Sequence, residues 1–231
     1  MGVEIEQNLL FDVTLHAATV LSTIVVLWSE VARLLRGLFS RRFNEEQAYV
    51  LKLLLSMIPI GIVGFTLKDR LDALLESPAI LLVVGCMLLV TAALLAFAYY
   101  AKPRQKAQLS YRDAFLIGVA QAVAALPGLS RSGSTIATGL LLGNRKQTVA
   151  QFSFLMVLAP ILGETFLELM KGNLGAQAIG SAPLAAGFVA AFVVGCLACK
   201  FMIEIVKRGK LVWFALYCAA AGTVSILSYV L

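Results

Sequence analysis

The chain has 231 residues, 60% of them hydrophobic and 14% charged, and a net charge of +6. Soluble domains are about 45–50% apolar and about 25% charged, so the composition excludes an ordinary soluble domain and indicates an integral membrane protein. The positive charge is what basic cytoplasmic loops supply in such a protein, and the absence of any basic patch interleaved with aromatics argues against nucleic-acid binding.

The N-terminal stretch "MGVEIEQNLLFDV" is acidic and lacks the basic n-region of a signal peptide. Gly2 is not followed by Ser or Thr at the myristoylation position. A spanning helix needs about 20 mostly apolar residues. Such runs are predicted at 9–28, 50–67, 78–100, 149–170, 185–205 and 211–231. The only histidine, His16, lies in the first run and reads as a helix-packing residue. Cys86, Cys196, Cys199 and Cys218 all sit in apolar runs. Cys196 and Cys199 match C-x-x-C in letters only: on a helix they are one turn apart, with no second pair to complete a zinc site.

Between the third and fourth runs, residues 114–143 are apolar but broken by "PGLSRSGST" at 127–135. Each half has about a dozen residues and so covers roughly 18 Å, well short of a bilayer core of about 30 Å. Pro127 removes an N–H and disfavours helix at Leu126. The pattern predicts a re-entrant hairpin, a half-helix in and a half-helix out. Irregular backbone at that depth is tolerated only inside protein or against a water-filled cavity, so the break implies a site.

Charge distribution agrees. With both ends of the hairpin on one side, segments 31–46, 102–113, 144–148 and 200–210 share that side and hold 14 Lys and Arg, against 3 in 68–77 and 171–180. By the positive-inside rule the hairpin is rooted in the cytoplasm and both termini are extracytoplasmic. If 114–143 spanned once, the division would be 8 to 9.

Arg131 is the informative residue at the break. Arginine at the centre of a membrane helix costs about 2.5–3.5 kcal/mol on insertion scales and usually marks function. Its five-donor fork suits phosphate oxygens. Ser130, Ser132, Ser134 and Thr135 surround it with hydroxyls, and a second half-helix starting near Ser132 turns its free N–H groups toward the break. No acidic residue lies between Asp113 and Glu164. The constellation is an anion site, best suited to phosphate or diphosphate. A salt bridge from Arg131 to Glu164 or Glu168 and close helix packing by small residues are the alternatives.

The string "IGVAQAVAALPGLSRSGSTIATGLLLG", followed by "AQFSFLMVLAP", closely resembles the bacterial undecaprenyl-diphosphate phosphatase family, known for bacitracin resistance. "FDVTLHAATVLSTIVVLW" and "SMIPIGIVGF" resemble its earlier helices in order. The resemblance covers nearly the whole chain. It implies an all-α polytopic membrane protein, an inverted-repeat helical bundle with about six spanning helices plus one re-entrant hairpin. Residues 9–100 would be the remnant of the first repeat, and 114–231 the second. It implies a bacterial inner-membrane enzyme that removes one phosphate from undecaprenyl diphosphate, recycling the carrier lipid for peptidoglycan synthesis. Arg131 matches the family's diphosphate-binding arginine and Ser130 and Thr135 its accompanying hydroxyl residues, which makes these three the catalytic set. Ser132 and Gly133 belong to the same string, and Ser134 stands where the family often has alanine.

The family's first repeat opens with a further hairpin, a Glu-rich string ending in Pro-Val-Ser-Ser-x-Gly-His. No such stretch occurs in this chain. That segment carries the family's proposed nucleophile or base and acidic residues linked to a divalent cation, Mg or Ca, so the metal's ligands are not identified here. Glu164, inside a predicted span, is the best in-chain acid. Two further readings stand beside hydrolysis: a lipid-phosphate binder or carrier, since broken helices in inverted repeats also describe transporters, and an inactive truncated family member. A phosphatidic-acid-phosphatase chemistry needs histidines after the "SR" pair, and none follows Arg131. The expected partners are a polyprenyl diphosphate lipid and the bilayer, with a homodimer left open.

Overall fold

A computed structural model of the protein describes residues 9–40, 42–100, 106, 108–170 and 181–230. Among them there is no strand. The helices are α1 (Leu9–Val26), α2 (Trp28–Leu38), α3 (Glu45–Thr66), α4 (Lys68–Leu75), α5 (Ile80–Tyr100), α6 (Tyr111–Val123), α7 (Arg131–Leu141), α8 (Lys146–Met170), α9 (Ser181–Arg208) and α10 (Leu211–Val230). Helices α3, α5, α9 and α10 are each long and apolar enough to cross a membrane, and α1 with α2 would make a fifth span with a break. Helix α8, with 25 residues, is about 37 Å long. The protein is an all-α polytopic membrane protein. Large apolar side chains such as Ile58, Ile62, Phe65 and Phe97 face outward, where acyl chains rather than water meet them.

Two segments predicted as loops are helical. The chain turns by 86° at Leu27 between α1 and α2, so the basic segment after residue 30 begins as helix. Its sequence explains this: Val31, Leu34, Leu35 and Leu38 recur at helical spacing. Leu34 is buried against α8 and α9, while Arg33 pairs with Glu30 at 2.8 Å on the exposed side. The other is α4, at 68–75.

Small residues set the crossings. A Cβ on Gly85 of α5 would lie 2.9 Å from the carbonyl oxygen of Gly222 in α10, and a Cβ on Gly222 would lie 2.8 Å from that of Gly85. Only glycine lets the two backbones approach this closely. On α9, Gly195 packs against Ser22 of α1 and Cys196 Sγ lies 3.8 Å from the Ser22 carbonyl. The "CLAC" pair is thus part of the α1–α9 contact, with Cys199 buried and all four thiols free. His16 is carried by α1, which packs against α8 and α9.

Helices α6 and α7 form the hairpin at the centre of this bundle. Ile136, Ala137 and Leu140 of α7 are buried in one core with residues of α5, α8, α9 and α10. Ala114 and Ile117 of α6 pack with Phe152 and Met156 of α8.

Candidate functional site

With 13 and 11 residues, α6 and α7 are about 20 Å and about 17 Å long, so the hairpin ends inside the bundle. Its feet are tied together. The Lys106 N–H donates to the Gly143 carbonyl at 3.0 Å. Asn144 Nδ2 donates to Asp113 Oδ2 and to the Gly139 carbonyl, both at 3.2 Å, and Lys106 Nζ lies 3.1 Å from Asp113 Oδ2. Burial works to raise the Asp113 carboxyl. Hydrogen bonds from Lys106, Asn144 and Ser110, with the Lys106 charge, outweigh it and hold the group below its ordinary value. A cleft of about 610 Å³ beside these feet, lined in part by Lys106, Arg112 and Asp113, lies a hairpin's length from the tip.

The tip follows from its residues. Helix α6 ends at Val123, four residues before Pro127. Gly128 takes φ +86°, the left-handed conformation that favours glycine, and a Cβ there would lie 2.6 Å from the Val84 backbone of α5. Close packing and backbone conformation therefore both demand glycine. The Ser130 N–H donates to Thr91 Oγ1 of α5 at 3.1 Å, anchoring the entry to α7. Ser130 is the N-cap: its Oγ accepts from the Gly133 N–H at 3.1 Å, and its carbonyl accepts from the Ser134 N–H at 2.8 Å. The N–H groups of Arg131 and Ser132 remain as first-turn donors without an acceptor among the described residues.

The predicted site residues divide by depth. Ser130, Arg131 and Ser132 are half-buried at the mouth of α7. The Arg131 guanidinium has no ion-pair or hydrogen-bond partner among the described residues. Gly133, Ser134 and Thr135 are buried. Thr135 does not face the mouth. Its hydroxyl is hydrogen-bonded to Ser153 of α8 and lies 2.9 Å from the Arg131 carbonyl. Ser134 is 2% exposed, and its Oγ has no partner among the described residues. Glu164 is on α8, but its side chain, like that of Glu168, lies outside the described residues. Thr165, next to it, donates to the Ile161 carbonyl at 2.8 Å.

Among the described residues the charge at the mouth is all of one sign: an arginine fork, two N–H groups without an acceptor there and the positive end of the α7 dipole. An anion with several oxygens satisfies all of them. Sequence reasoning does not single out Thr91, Ser153 or Gln121, three buried polar side chains that meet the hairpin or belong to it. Their signal is a lone polar residue within an apolar run, and the sequence does not show which face of the helix that residue occupies.

The family model for "Bacitracin resistance protein BacA" matches residues 1–224. An undecaprenyl-diphosphatase of Parabacteroides distasonis is 61% identical over 228 residues, covering 97% of this chain and 85% of the relative. One from Bacteroides fragilis is 60% identical with the same coverage. One from Oceanobacillus iheyensis is 32% identical over 96% of this chain and 82% of the relative. With Arg131 at the tip of a buried hairpin and a family match across almost all of its length, the chain belongs to the BacA bacitracin resistance family.

Proposed function

We propose that the chain hydrolyses undecaprenyl diphosphate to undecaprenyl phosphate and phosphate in the bacterial inner membrane, sustaining peptidoglycan synthesis and bacitracin resistance. The observation that carries this reading is the Arg131 guanidinium at the N-terminus of α7, without a partner among the described residues, in a chain about 60% identical to undecaprenyl-diphosphatases. Phosphoryl transfer depends on positioning and on neutralising charge that spreads over the phosphoryl oxygens. Arg131 and the N–H groups of Arg131 and Ser132 position the diphosphate and neutralise the charge that builds on its lipid-side, leaving phosphate, and Ser130 and Ser132 add hydroxyl donors at the mouth. Thr135 acts behind them, holding the first turn of α7 against α8 through Ser153.

A divalent cation is implied by the family resemblance. Such ions take carboxylate and carbonyl oxygens, and no group of three or more His, Cys, Asp or Glu able to hold one occurs among the described residues. The hydroxyl and guanidinium groups at the tip do not fit a cation, and no step here is assigned to one.

The inverted-repeat reading gains support from helix pairing. Matching α1, α3 and α5 to α8, α9 and α10 exchanges the α1–α9 and α3–α8 contacts and maps α5–α10 and α1–α8 onto themselves, and all four pairs are in contact. The reciprocal Gly85–Gly222 approach fits an axis at that crossing. Cytoplasmic hairpin feet and extracytoplasmic termini rest on the 14-to-3 charge asymmetry.

Purified protein should release phosphate from undecaprenyl diphosphate, assayed with Mg²⁺ or Ca²⁺ and with chelator. Arg131→Ala should abolish both binding and release. Arg131→Lys should restore little, because a point charge replaces a two-pronged fork. Unchanged lipid binding in the alanine variant would sink the clamp, and retained wild-type binding without release would identify a lipid-phosphate binder.

A further inference from the structure

Resting on that reading, we propose that Gln121 binds the terminal phosphoryl group of the diphosphate, one helical turn deeper than Arg131, and so lets the site tell a diphosphate lipid from its monophosphate product. Gln121 is fully buried in α6, yet neither Nε2 nor Oε1 has a partner among the described residues. An amide left so is costly unless a ligand or water satisfies it.

Its direction follows from its neighbours. On the helical wheel Gln121 lies about 40° from Ile117 and about 60° from Gly118, between them. Ile117 points at α7, where it would meet a Cβ on Gly139 at 3.3 Å, and Gly118 abuts the Ser56 carbonyl of α3. Gln121 is therefore directed between α7 and α3. Helix α3 runs parallel to α6, with Glu45 bonded to Gln108 near their starts, and so brings Pro59 to the level of Gln121. Proline has no N–H to offer the Oε1 atom.

The depth follows from register. Asn144 is bonded to Asp113 at the feet, and Ile117 meets α7 at Gly139. One turn nearer the tip, Gln121 is level with Thr135. Thr135 lies four residues along α7 from Arg131, about 6 Å, a step that a two-phosphate headgroup can bridge. Ser134, at the same depth, carries a second buried hydroxyl without a partner among the described residues. With the lipid-side phosphate on Arg131, the terminal phosphate reaches this level. There Nε2 donates to a phosphoryl oxygen and Oε1 accepts from a P–OH or a bound water.

The test compares binding of undecaprenyl diphosphate and undecaprenyl phosphate to full-length wild type, Q121L and the isosteric Q121E, with thermal unfolding as a control for folding. Q121L should bind the diphosphate lipid at least about ten-fold more weakly, the loss of one hydrogen bond to a charged group, and bind the monophosphate within about twofold of wild type. Its unfolding midpoint should not fall, since the substitution removes an unsatisfied buried amide. Q121E, which replaces the donor by an acceptor at constant volume, should show the same split and carries the test should Q121L fail to fold. Unchanged diphosphate binding, or an equal loss for both lipids, overturns the proposal. Wild type that binds neither lipid overturns instead the function on which it rests.

Discussion

At the residue scale, the structure separates two tasks that the tip string carries together. Ser130 builds α7 by capping it, whereas the Arg131 fork has no partner among the described residues. Replacing Ser130 with alanine should cost about 1 kcal/mol of stability, the usual value of an N-cap, read as a lower thermal midpoint in detergent. Replacing it with aspartate keeps an equally good cap but sets a carboxylate beside Arg131. Ser130→Asp should therefore unfold like wild type and lose undecaprenyl-diphosphate binding. Retained binding would show that the charge at this position does not matter to the ligand. Arg131 was legible in the sequence because its charge is so costly in an apolar segment. The roles of Ser134 and Thr135 were not, because a hydroxyl can turn toward a ligand, a neighbouring helix or its own backbone. Thr135 is bonded to Ser153, outside the motif.

At the element scale, the hairpin is short, tied at its feet and pinned at its tip. Lys106, Asp113 and Asn144 hold the feet. At the tip, Gly128 rests against the Val84 backbone and Thr91 receives the Ser130 N–H. Gly128→Ala should be costly for two reasons. A left-handed φ costs a non-glycine residue about 1–2 kcal/mol, and the added methyl would overlap the Val84 backbone, which cannot yield as a side chain can. The expected outcome is a lower unfolding midpoint together with loss of phosphate release, since the tip must shift and Arg131 with it. Wild-type activity in a folded Gly128→Ala protein would mean that the tip position does not govern the clamp. The hairpin itself was readable from length: two halves of about a dozen residues cannot each cross a bilayer. Helix α2 reads as a loop in the sequence because its charges outweigh its apolar spacing, and only its contact with α8 and α9 makes that spacing decisive.

At the scale of the whole molecule, the bundle gathers α5, α7, α8, α9 and α10 around one core and leaves a wide apolar surface for lipid. The proposed orientation rests on charge alone and is testable: an alkaline phosphatase fused after Leu231 should be active, and the same fusion placed in segment 144–148 inactive. Activity at 144–148 would reverse the topology. Membrane class and the break at 127–135 could be determined from sequence alone, because each depends on local composition or run length, and the one costly charge there, Arg131, marks the proposed anion site. Tertiary structure decided which lone polar residues inside apolar runs meet or line the hairpin. Lipid and protein interior are equally apolar, so the faces of α5, α6 and α8 cannot be told apart by sequence. Only the packing of α3, α5 and α8 around the hairpin turns Thr91, Gln121 and Ser153 inward.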